Sequence, residues 1–395
     1  MPISTAHQPA LLHRNTVRTS RPTTIGMLST YPPTQCGLAT FSAALIQHLH
    51  LSTGSLGVVQ VVDQLEPRPG PDVVAQLVNG SPGSAVNAVR RLNGFDAVIV
   101  QHEYGIYGGP DGLDVVDLVD ALTVPTIIVL HTVLQDPTPR QRQILLRLLA
   151  TADVVVTMTE TASRRLVASY GADPSQLAVI PHGAIDHGPR SLVRPRPTDR
   201  PLVLTWGLIG PGKGIEWAID AMVGLRDLQP RYLVIGRTHP KVVQRDGEVY
   251  RDGLRRQARD NGVSDLVELD DRYLGAAELA ELVQAADVVL LPYDSREQVT
   301  SGVLIEAVAA GRPVVSTAFP HAIELLADET GIVVPQRDAA ALEVALRRVL
   351  SEPGLAGGMA EQAARKAPEL FWAAVAGRYR AVAAGLVATE LAGVS

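Results

Sequence analysis

Apolar runs of strand length alternate with longer helical stretches along most of the chain. From Thr24 onward, short runs rich in β-branched residues are separated by segments of about ten or more residues with helical periodicity. Parallel strands buried on both faces read as continuous apolar runs, and they need crossover connections that are usually helices. The pattern therefore predicts an α/β protein with parallel sheets.

Both halves of the chain contain predicted strands. These strands are Thr24–Ser29, Gly57–Val62, Asp96–Gln101, Thr126–His131, Asp153–Thr157, Leu177–Pro181, Leu202–Trp206, Arg231–Ile235, Leu266–Leu269, Asp287–Leu291, Pro313–Ser316 and Gly331–Val334. One sheet holding all of them would be unusually wide, so two sheets of six strands fit the pattern better. We expect two Rossmann-like domains, each a doubly wound parallel sheet.

A proline-rich segment separates the two halves. Residues 187–201 contain four prolines, which remove amide donors and disfavour helix before them. We predict a linker there, between an N-terminal domain over residues 23–186 and a C-terminal domain over residues 202–369. Residues 1–22 lack the apolar core of a secretion signal and are predicted to form a flexible tail. Residues 370–395 contain a last helix that we expect to cross back to the N-terminal domain.

Composition narrows the classes of function. Hydrophobic residues make up 46% of the 395 positions and charged residues 19%, which is typical of a well-buried globular protein. The net charge of −6 and the dispersed Lys and Arg residues disfavour nucleic acid as a partner. No apolar run approaches the roughly 18 residues of a membrane span, which still allows peripheral contact with a membrane. The one cysteine, Cys36, excludes an internal disulfide and suits a reducing, cytoplasmic compartment.

The loop after the first strand is a candidate anion site, because ligands bind at the carboxyl ends of parallel strands. This loop, Thr30–Phe41, is stiffened by prolines and reaches Gly37, where a helix is predicted to begin. A glycine lets the backbone approach a ligand, and free amides at a helix start attract anions. An ordinary turn is the alternative. The loop lacks the G-x-G-x-x-G pattern, which argues against nicotinamide or flavin binding.

The third and fourth predicted strands end in polar side chains. Gln101, His102 and Glu103 come at the end of the third strand, ahead of a glycine pair, and are candidates for substrate binding. His131 ends the fourth strand, where a histidine can donate to a sugar hydroxyl or to a departing oxygen. A purely structural role is the alternative for each of them.

The first strand of the second half leads into a glycine-rich loop. Gly210, Gly212 and Gly214 bracket Lys213 at the predicted start of a helix. Lys213 is followed by glycine rather than by Ser or Thr, so the loop is not a P-loop. A lysine at a glycine-rich helix start nevertheless suits a diphosphate. A glycine-capped helix with a solvated lysine is the alternative.

A polar loop enters an apolar helix within Tyr293–Gly311. Glu306 lies about one turn inside that helix, and a carboxylate among apolar neighbours needs a partner. The hydroxyls of a ribose would supply two donors to it. Backbone amides at the helix start would point at the same ligand. The candidate binding residues before Glu306 are Glu297, Gln298, Thr300, Ser301 and Gly302.

With these motifs the chain resembles the retaining glycosyltransferases of family 4, which have the GT-B fold, over roughly residues 24–390. Gly37 matches the family's loop glycine, and His131 matches the histidine that contacts the donor sugar. Lys213 matches the second member of a basic pair, and Glu306 matches the glutamate that holds the ribose. The segment Ile180–Asp186 is similar to the family's signature before the interdomain linker.

The resemblance implies an activity and a set of roles. It implies transfer of a hexose from a nucleotide diphosphate sugar, such as GDP-mannose or UDP-glucose, to a carbohydrate or other hydroxyl acceptor. It implies retention of the anomeric configuration, catalytic roles for His131, Lys213 and Glu306, and no requirement for a metal. The sequence also lacks a clear Asp-x-Asp at a strand end, so we expect neither a metal nor another cofactor.

The chain departs from the family pattern at the donor site. Leu208 replaces the first member of the basic pair, and Gln298 occupies the first glutamate position, seven residues before Glu306. Cys36 precedes Gly37 where many members have a second glycine. Leu208 and Gln298 keep open the alternative of a non-catalytic protein that binds nucleotide sugars. A non-hydrolysing nucleotide-sugar epimerase is a second alternative, because such enzymes share the two-domain fold.

Overall fold

The computed structural model describes residues 22–50, 54–186, 188 and 200–393. Within these ranges the chain forms two parallel sheets, one of seven strands and one of six, with helices on both faces. This confirms the predicted α/β class with two doubly wound sheets. Most of the predicted tail over residues 1–22 and of the predicted linker over residues 187–201 lies outside the described residues.

The first sheet has the order β3-β2-β1-β4-β5-β6-β7. Its strands are β1 (Ile25–Ser29), β2 (Leu56–Val62), β3 (Val73–Val78), β4 (Ala97–His102), β5 (Thr126–Leu130), β6 (Val154–Thr157) and β7 (Leu177–Val179). The central strands β1, β4 and β5 are buried along their whole length, as expected for strands that are covered on both faces.

The prediction of six strands in this sheet is wrong, because it omitted β3. This strand lies at the edge of the sheet and pairs only with β2. Most of its side chains are partly exposed, and Ala75 and Gln76 interrupt its apolar run. An edge strand needs no continuous apolar run, since one of its long sides faces solvent.

The second sheet has the order β10-β9-β8-β11-β12-β13. Its strands are β8 (Leu202–Trp206), β9 (Arg231–Ile235), β10 (Val267–Asp270), β11 (Val288–Leu291), β12 (Val314–Thr317) and β13 (Gly331–Val334). Each sheet reverses its winding direction at one place, between β1 and β4 in the first and between β8 and β11 in the second. In such sheets, ligands bind at the carboxyl ends of the strands beside that reversal.

Helices connect the strands of both sheets. In the first half they are α1 (Gly37–Leu49), α2 (Pro82–Leu92), α3 (Asp114–Asp120), α4 (Pro139–Thr151) and α5 (Glu160–Arg165), and α5 continues as a π-helical turn over Leu166–Tyr170. In the second half they are α6 (Ile215–Gly224), α7 (Pro240–Asp246), α8 (Val249–Asp260), α9 (Ala276–Ala285), α10 (Gly302–Ala309), α11 (Pro320–Leu325), α12 (Ala339–Ser351), α13 (Leu355–Leu370) and α14 (Trp372–Gly393). None of the helices within the described residues combines the length and the apolar composition needed to cross a bilayer.

The last helix, α14, joins the second half of the chain to the first. Its buried side chains, among them Trp372 and Tyr379, share a core with Phe41 and Leu45 of α1. The backbone at Ala184 is hydrogen-bonded to both Leu370 and Trp372, which fixes the start of α14 beside the end of the first half. The domain bounds given above stay predictions.

Candidate active site

Three strand ends of the first sheet lie side by side, because β1, β4 and β5 are neighbours. The loop after β1 leads to Gly37, the first residue of α1, which is exposed. A Cβ placed on Gly37 would have no atom within 4 Å, so the space in front of the helix is open. Cys36 caps the helix, since its Sγ accepts the amide of Ala39 at 3.4 Å. The start of α1 therefore offers backbone amides to an anion in an accessible place.

Gln101 and His131 form one unit at the ends of β4 and β5. Nε2 of His131 donates to Oε1 of Gln101 at 2.7 Å, and the imidazole packs edge-on against Phe41. Burial, with smaller contributions from the nearby His182 and His102, lowers the pKa of His131 from 6.5 to about 3. His131 is therefore a neutral ring at physiological pH, held in one orientation by Gln101.

His102 and Glu103 have different surroundings from Gln101. His102 is fully buried beside Tyr104, both of its ring nitrogens lack a partner, and burial lowers its pKa to about 4. The carboxylate of Glu103 accepts a hydrogen bond from the hydroxyl of Thr132. Burial raises the pKa of Glu103, and this hydrogen bond, the backbone amide of Tyr104 and the charge of Lys241 oppose the shift. The structure thus brings Gln101 to His131, whereas His102 packs in the core behind them.

The loop after β8 carries Lys213 to the end of β11. Nζ of Lys213 lies 4.1 Å from the ring centre of Tyr293, a cation–π contact. Gly214 has a positive φ of 63°, and a Cβ there would lie 1.8 Å from the carbonyl oxygen of Pro292. The two loops therefore touch backbone to backbone, and that contact positions Lys213.

The start of α10 is a capped helix terminus at the end of the β11 loop. The side chain of Ser301 accepts the amide of Leu304, and the backbone amide of Ser301 donates to Nδ1 of His321 at 2.8 Å. A Cβ on Gly302 would lie 2.8 Å from Nε2 of His182. The hydroxyl of Thr300 is buried without a partner. At the helix start, only a glycine at position 302 permits the close approach of His182. The hydroxyl of Thr300 is left to bond to a ligand.

His182 is a site residue that the sequence analysis did not select. It follows β7, and its Nδ1 donates to the carbonyl of Gly183 at 2.7 Å, which leaves Nε2 as an acceptor facing Gly302. Burial lowers its pKa to about 4. Its position directly after a strand of the first sheet was the available signal, because it is the same position that singled out His131.

Glu306 lies one turn inside α10 and is half-buried. Burial raises its pKa from 4.5 to about 7, and a hydrogen bond from the indole of Trp206 partly opposes that shift. A carboxyl with this pKa is poised between its neutral and charged forms near neutral pH. A ligand that donates hydrogen bonds to it would favour the charged form.

Glu297 and Gln298 have separate roles in the structure. One carboxylate oxygen of Glu297 accepts from the guanidinium of Arg165 at 2.8 Å and from the amide of Gln135 at 2.7 Å, so it links the two sheets. Gln298 is partly buried, and its carbonyl accepts the amide of His321. Their assignment to substrate binding stays a prediction. In the described part of the chain, no three His, Cys, Asp or Glu side chains converge on a point that could hold a metal.

Replacing Glu306 by glutamine is expected to stabilise the protein at pH 8 but not at pH 4. The pKa of Glu306 is raised in the folded state, so the wild type loses stability as the pH rises from about 4.5 to about 7. Glutamine carries no charge and escapes this loss, which amounts to about 1 to 3 kcal/mol. The measurement is urea unfolding of both proteins at pH 4 and pH 8. Equal stability differences at the two pH values would contradict the raised pKa.

Two family models match the chain. One, described as "Glycosyltransferase Family 4", matches residues 54–186, and the other, "Glycosyl transferases group 1", matches residues 200–352. The first spans β2 to β7 of the first sheet, and the second spans all strands of the second sheet. Each half of the site described above therefore lies on, or beside, a segment that matches a glycosyltransferase domain.

Curated relatives carry the name D-inositol 3-phosphate glycosyltransferase. The one from Kineococcus radiotolerans is 30% identical over 248 residues, which is 57% of this chain and 55% of that protein. The one from Thermomonospora curvata is 30% identical over 257 residues, which is 60% of this chain and 58% of that protein. The chain thus matches little more than half the length of these relatives.

Solved structures share the fold over nearly the whole chain. Anabaena HepE, in complex with UDP and glucose, superposes with a TM-score of 0.74 at 15% identity, covering 92% of this chain and 100% of that one. Sucrose-phosphate synthase from Thermosynechococcus elongatus gives a TM-score of 0.72 at 20% identity, covering 94% and 100%. These likenesses show that the fold is the GT-B fold.

Proposed function

Because this chain belongs to glycosyltransferase family 4, we propose that it transfers a hexose from a nucleotide diphosphate sugar to a hydroxyl acceptor, with retention of configuration and without a metal. The observation that carries this proposal is that each sheet presents groups suited to an anion at its strand ends. Lys213 and the start of α10 lie at the strand ends of the second sheet, and the open start of α1 lies at those of the first. Such donors suit a diphosphate that gains charge as it departs.

In the proposed reaction, the bond from the anomeric carbon to the diphosphate oxygen breaks. A bond to the acceptor oxygen forms on the same face of the sugar, and the departing phosphate takes the acceptor proton. The buried histidines support this route. His131 and His182 have pKa values lowered to about 3 and about 4, so neither is an imidazolium that could protonate the leaving group near pH 7. His131 would instead position the sugar as a neutral ring.

Glu306 would bind the ribose of the donor. Glu306 is half-buried, and its carboxyl accepts a hydrogen bond from the indole of Trp206. Two ribose hydroxyls can donate to one carboxylate and so compensate for the cost of burying its charge. In this arrangement Glu306 acts by holding the nucleotide, while Lys213 acts on the reacting diphosphate.

The test is a transfer assay with separated components. The protein is incubated with GDP-mannose or UDP-glucose, alone and with a panel of sugar and polyol acceptors, and the release of nucleoside diphosphate is measured. We expect release that depends on an acceptor, and a product whose anomeric proton coupling matches that of the donor. Conversion of the donor without an acceptor would indicate an epimerase. Donor binding without turnover across the panel would indicate a binding protein.

We also expect the protein to act in the cytoplasm, which stays a prediction.

A further inference from the structure

An exposed arginine, Arg237, lies at the carboxyl end of β9, next to the loop that carries Lys213. β9 pairs with β8 along its whole length, so the loops that follow the two strands start side by side. Gly236 has a positive φ of 138°, and a Cβ there would lie 1.9 Å from the carbonyl oxygen of Gly207. The backbone just before Arg237 therefore packs directly on the loop after β8.

Hydrogen bonds continue this contact on both sides of Arg237. The amide of Ile209 donates to the carbonyl of Arg237 at 2.8 Å, and the amide of His239 donates to the carbonyl of Ile209 at 2.8 Å. Arg237 is thus fixed against the segment that begins with Gly207 and Leu208. Leu208 is uncharged, and Arg237 adds a positive charge to the turn whose backbone packs on this segment.

A second arginine, Arg251, holds the turn that presents Arg237. Arg251 is buried, and its guanidinium donates to the carbonyl of Gly236 and, at 3.3 Å, to the hydroxyl of Thr238. Gly236 and Thr238 flank Arg237, so one buried side chain anchors both of its neighbours. Burial lowers the pKa of Arg251, which reflects the cost of placing a charge there. The turn is therefore held rigidly in spite of that cost.

The side chain of Arg237 points across the cleft to the first sheet. Its Nη1 donates to Oε1 of Gln35 at 3.2 Å, two residues before the open start of α1 at Gly37. That partner is a neutral amide. The neighbouring His239 has a lowered pKa, because of burial and then of the charges of Lys241 and Lys213. Lys213 and Lys241 thus both lie close enough to affect His239, two residues after Arg237.

We propose that Arg237 binds the diphosphate of the donor together with Lys213. This inference rests on the proposed function of the cleft. A nucleoside diphosphate carries at least two negative charges near pH 7, and a lysine neutralises only one of them. A guanidinium adds a planar pair of donors that matches two phosphate oxygens. Arg237 would exchange its hydrogen bond to Gln35 for the phosphate when the donor binds.

The test compares nucleoside diphosphates with monophosphates. The affinities of the wild type and of Arg237→Gln for GDP, UDP, GMP and UMP are measured by isothermal titration calorimetry. We expect Arg237→Gln to lower the affinity for the diphosphate that the wild type binds by about 10- to 100-fold. The affinity for the matching monophosphate should fall by less than about threefold. Arg237 is exposed, so its replacement leaves the core intact.

Two control variants test whether the loss of diphosphate affinity is specific to the guanidinium of Arg237. Gln35→Ala removes the partner of Arg237 but keeps the guanidinium, and Arg231→Gln removes an arginine at the other end of β9 that pairs with Glu268. Both should keep diphosphate affinity within about twofold of the wild type. The inference is overturned if Arg237→Gln leaves diphosphate affinity unchanged, or if it weakens both classes of nucleotide equally. A wild type that binds neither GDP nor UDP is titrated with ADP and dTDP, and failure to bind any of these diphosphates would overturn the proposed function itself.

Discussion

Replacing Lys213 by alanine is expected to lower the turnover number by about 100- to 1000-fold. The ammonium group is held against Tyr293 at the end of β11, beside the capped start of α10. A cation that is fixed in place before the reaction needs no reorganisation as charge develops on the leaving diphosphate, and the loss of one such donor typically costs this much. The measurement is the steady-state rate of donor consumption in the presence of an acceptor.

A second variant at the same position isolates the charge. Lys213→Met keeps an unbranched side chain over Tyr293 but carries no ammonium, so its rate should fall as far as that of Lys213→Ala. The hydroxyl of Tyr293 is buried without a partner, so Tyr293→Phe removes no hydrogen bond and should keep most of the activity. If Lys213→Met retained wild-type turnover, the ammonium would have no part in catalysis.

Replacing Gly214 by alanine is expected to destabilise the fold by more than about 4 kcal/mol. Gly214 has a positive φ of 63°, and its new Cβ would lie 1.8 Å from the carbonyl oxygen of Pro292. Neither atom can move without shifting the backbone of the Lys213 loop or of the segment after β11. Collisions of this kind belong to the small set of single changes with very large effects. Urea unfolding followed by circular dichroism measures the loss.

Gly171 provides a matched control for that prediction. Its backbone is left-handed like that of Gly214, with φ 70° and ψ 27° against 63° and 21°, but a Cβ there would have no atom within 4 Å. Gly171→Ala therefore carries only the cost of the left-handed conformation, about 1 to 2 kcal/mol. A similar loss for both variants would mean that the two loops do not touch at Gly214.

The main lines of the fold could be predicted from the sequence because its central strands are buried on both faces. Such strands appear as continuous apolar runs, and the glycines and polar residues after them mark their carboxyl ends. The predicted Thr126–His131 and observed β5 (Thr126–Leu130) differ by one residue. The edge strand β3 lacked this signal, since its exposed side does not require apolar residues.

The candidate site was predictable only where a residue follows a strand or begins a helix. Gly37, His131 and Lys213 met that condition. Contacts between the sheets could not be predicted from the sequence, because they join residues far apart in the chain. Glu297 bonds to Arg165, 132 positions away, and Arg237 bonds to Gln35, 202 positions away. The position of His182 at Gly302 likewise depends on how the two halves pack together.

The links between the sheets also bear on how a donor would bind. The carboxylate of Glu324 accepts two backbone amides at the start of α5, and the hydroxyl of Thr159 donates to the carbonyl of Val299. The bond from Thr159 and the pair of Glu297 and Arg165 hold the segment between β11 and α10 against the first half of the chain, and Glu324 adds a contact from α11. The helix start that would bind the donor is therefore fixed before any ligand arrives.

The most direct test of donor binding in the cleft is a thermal unfolding screen of the wild type with GDP, UDP, ADP and dTDP and their common sugar conjugates. A ligand at 100 times its dissociation constant adds about 2.7 kcal/mol to the stability of the folded state. At least one nucleoside diphosphate, and its sugar conjugate, is expected to raise the unfolding midpoint clearly, and Lys213→Met is expected to reduce the shift. An unchanged midpoint with every one of these ligands would contradict the claim that the cleft binds a nucleotide diphosphate sugar.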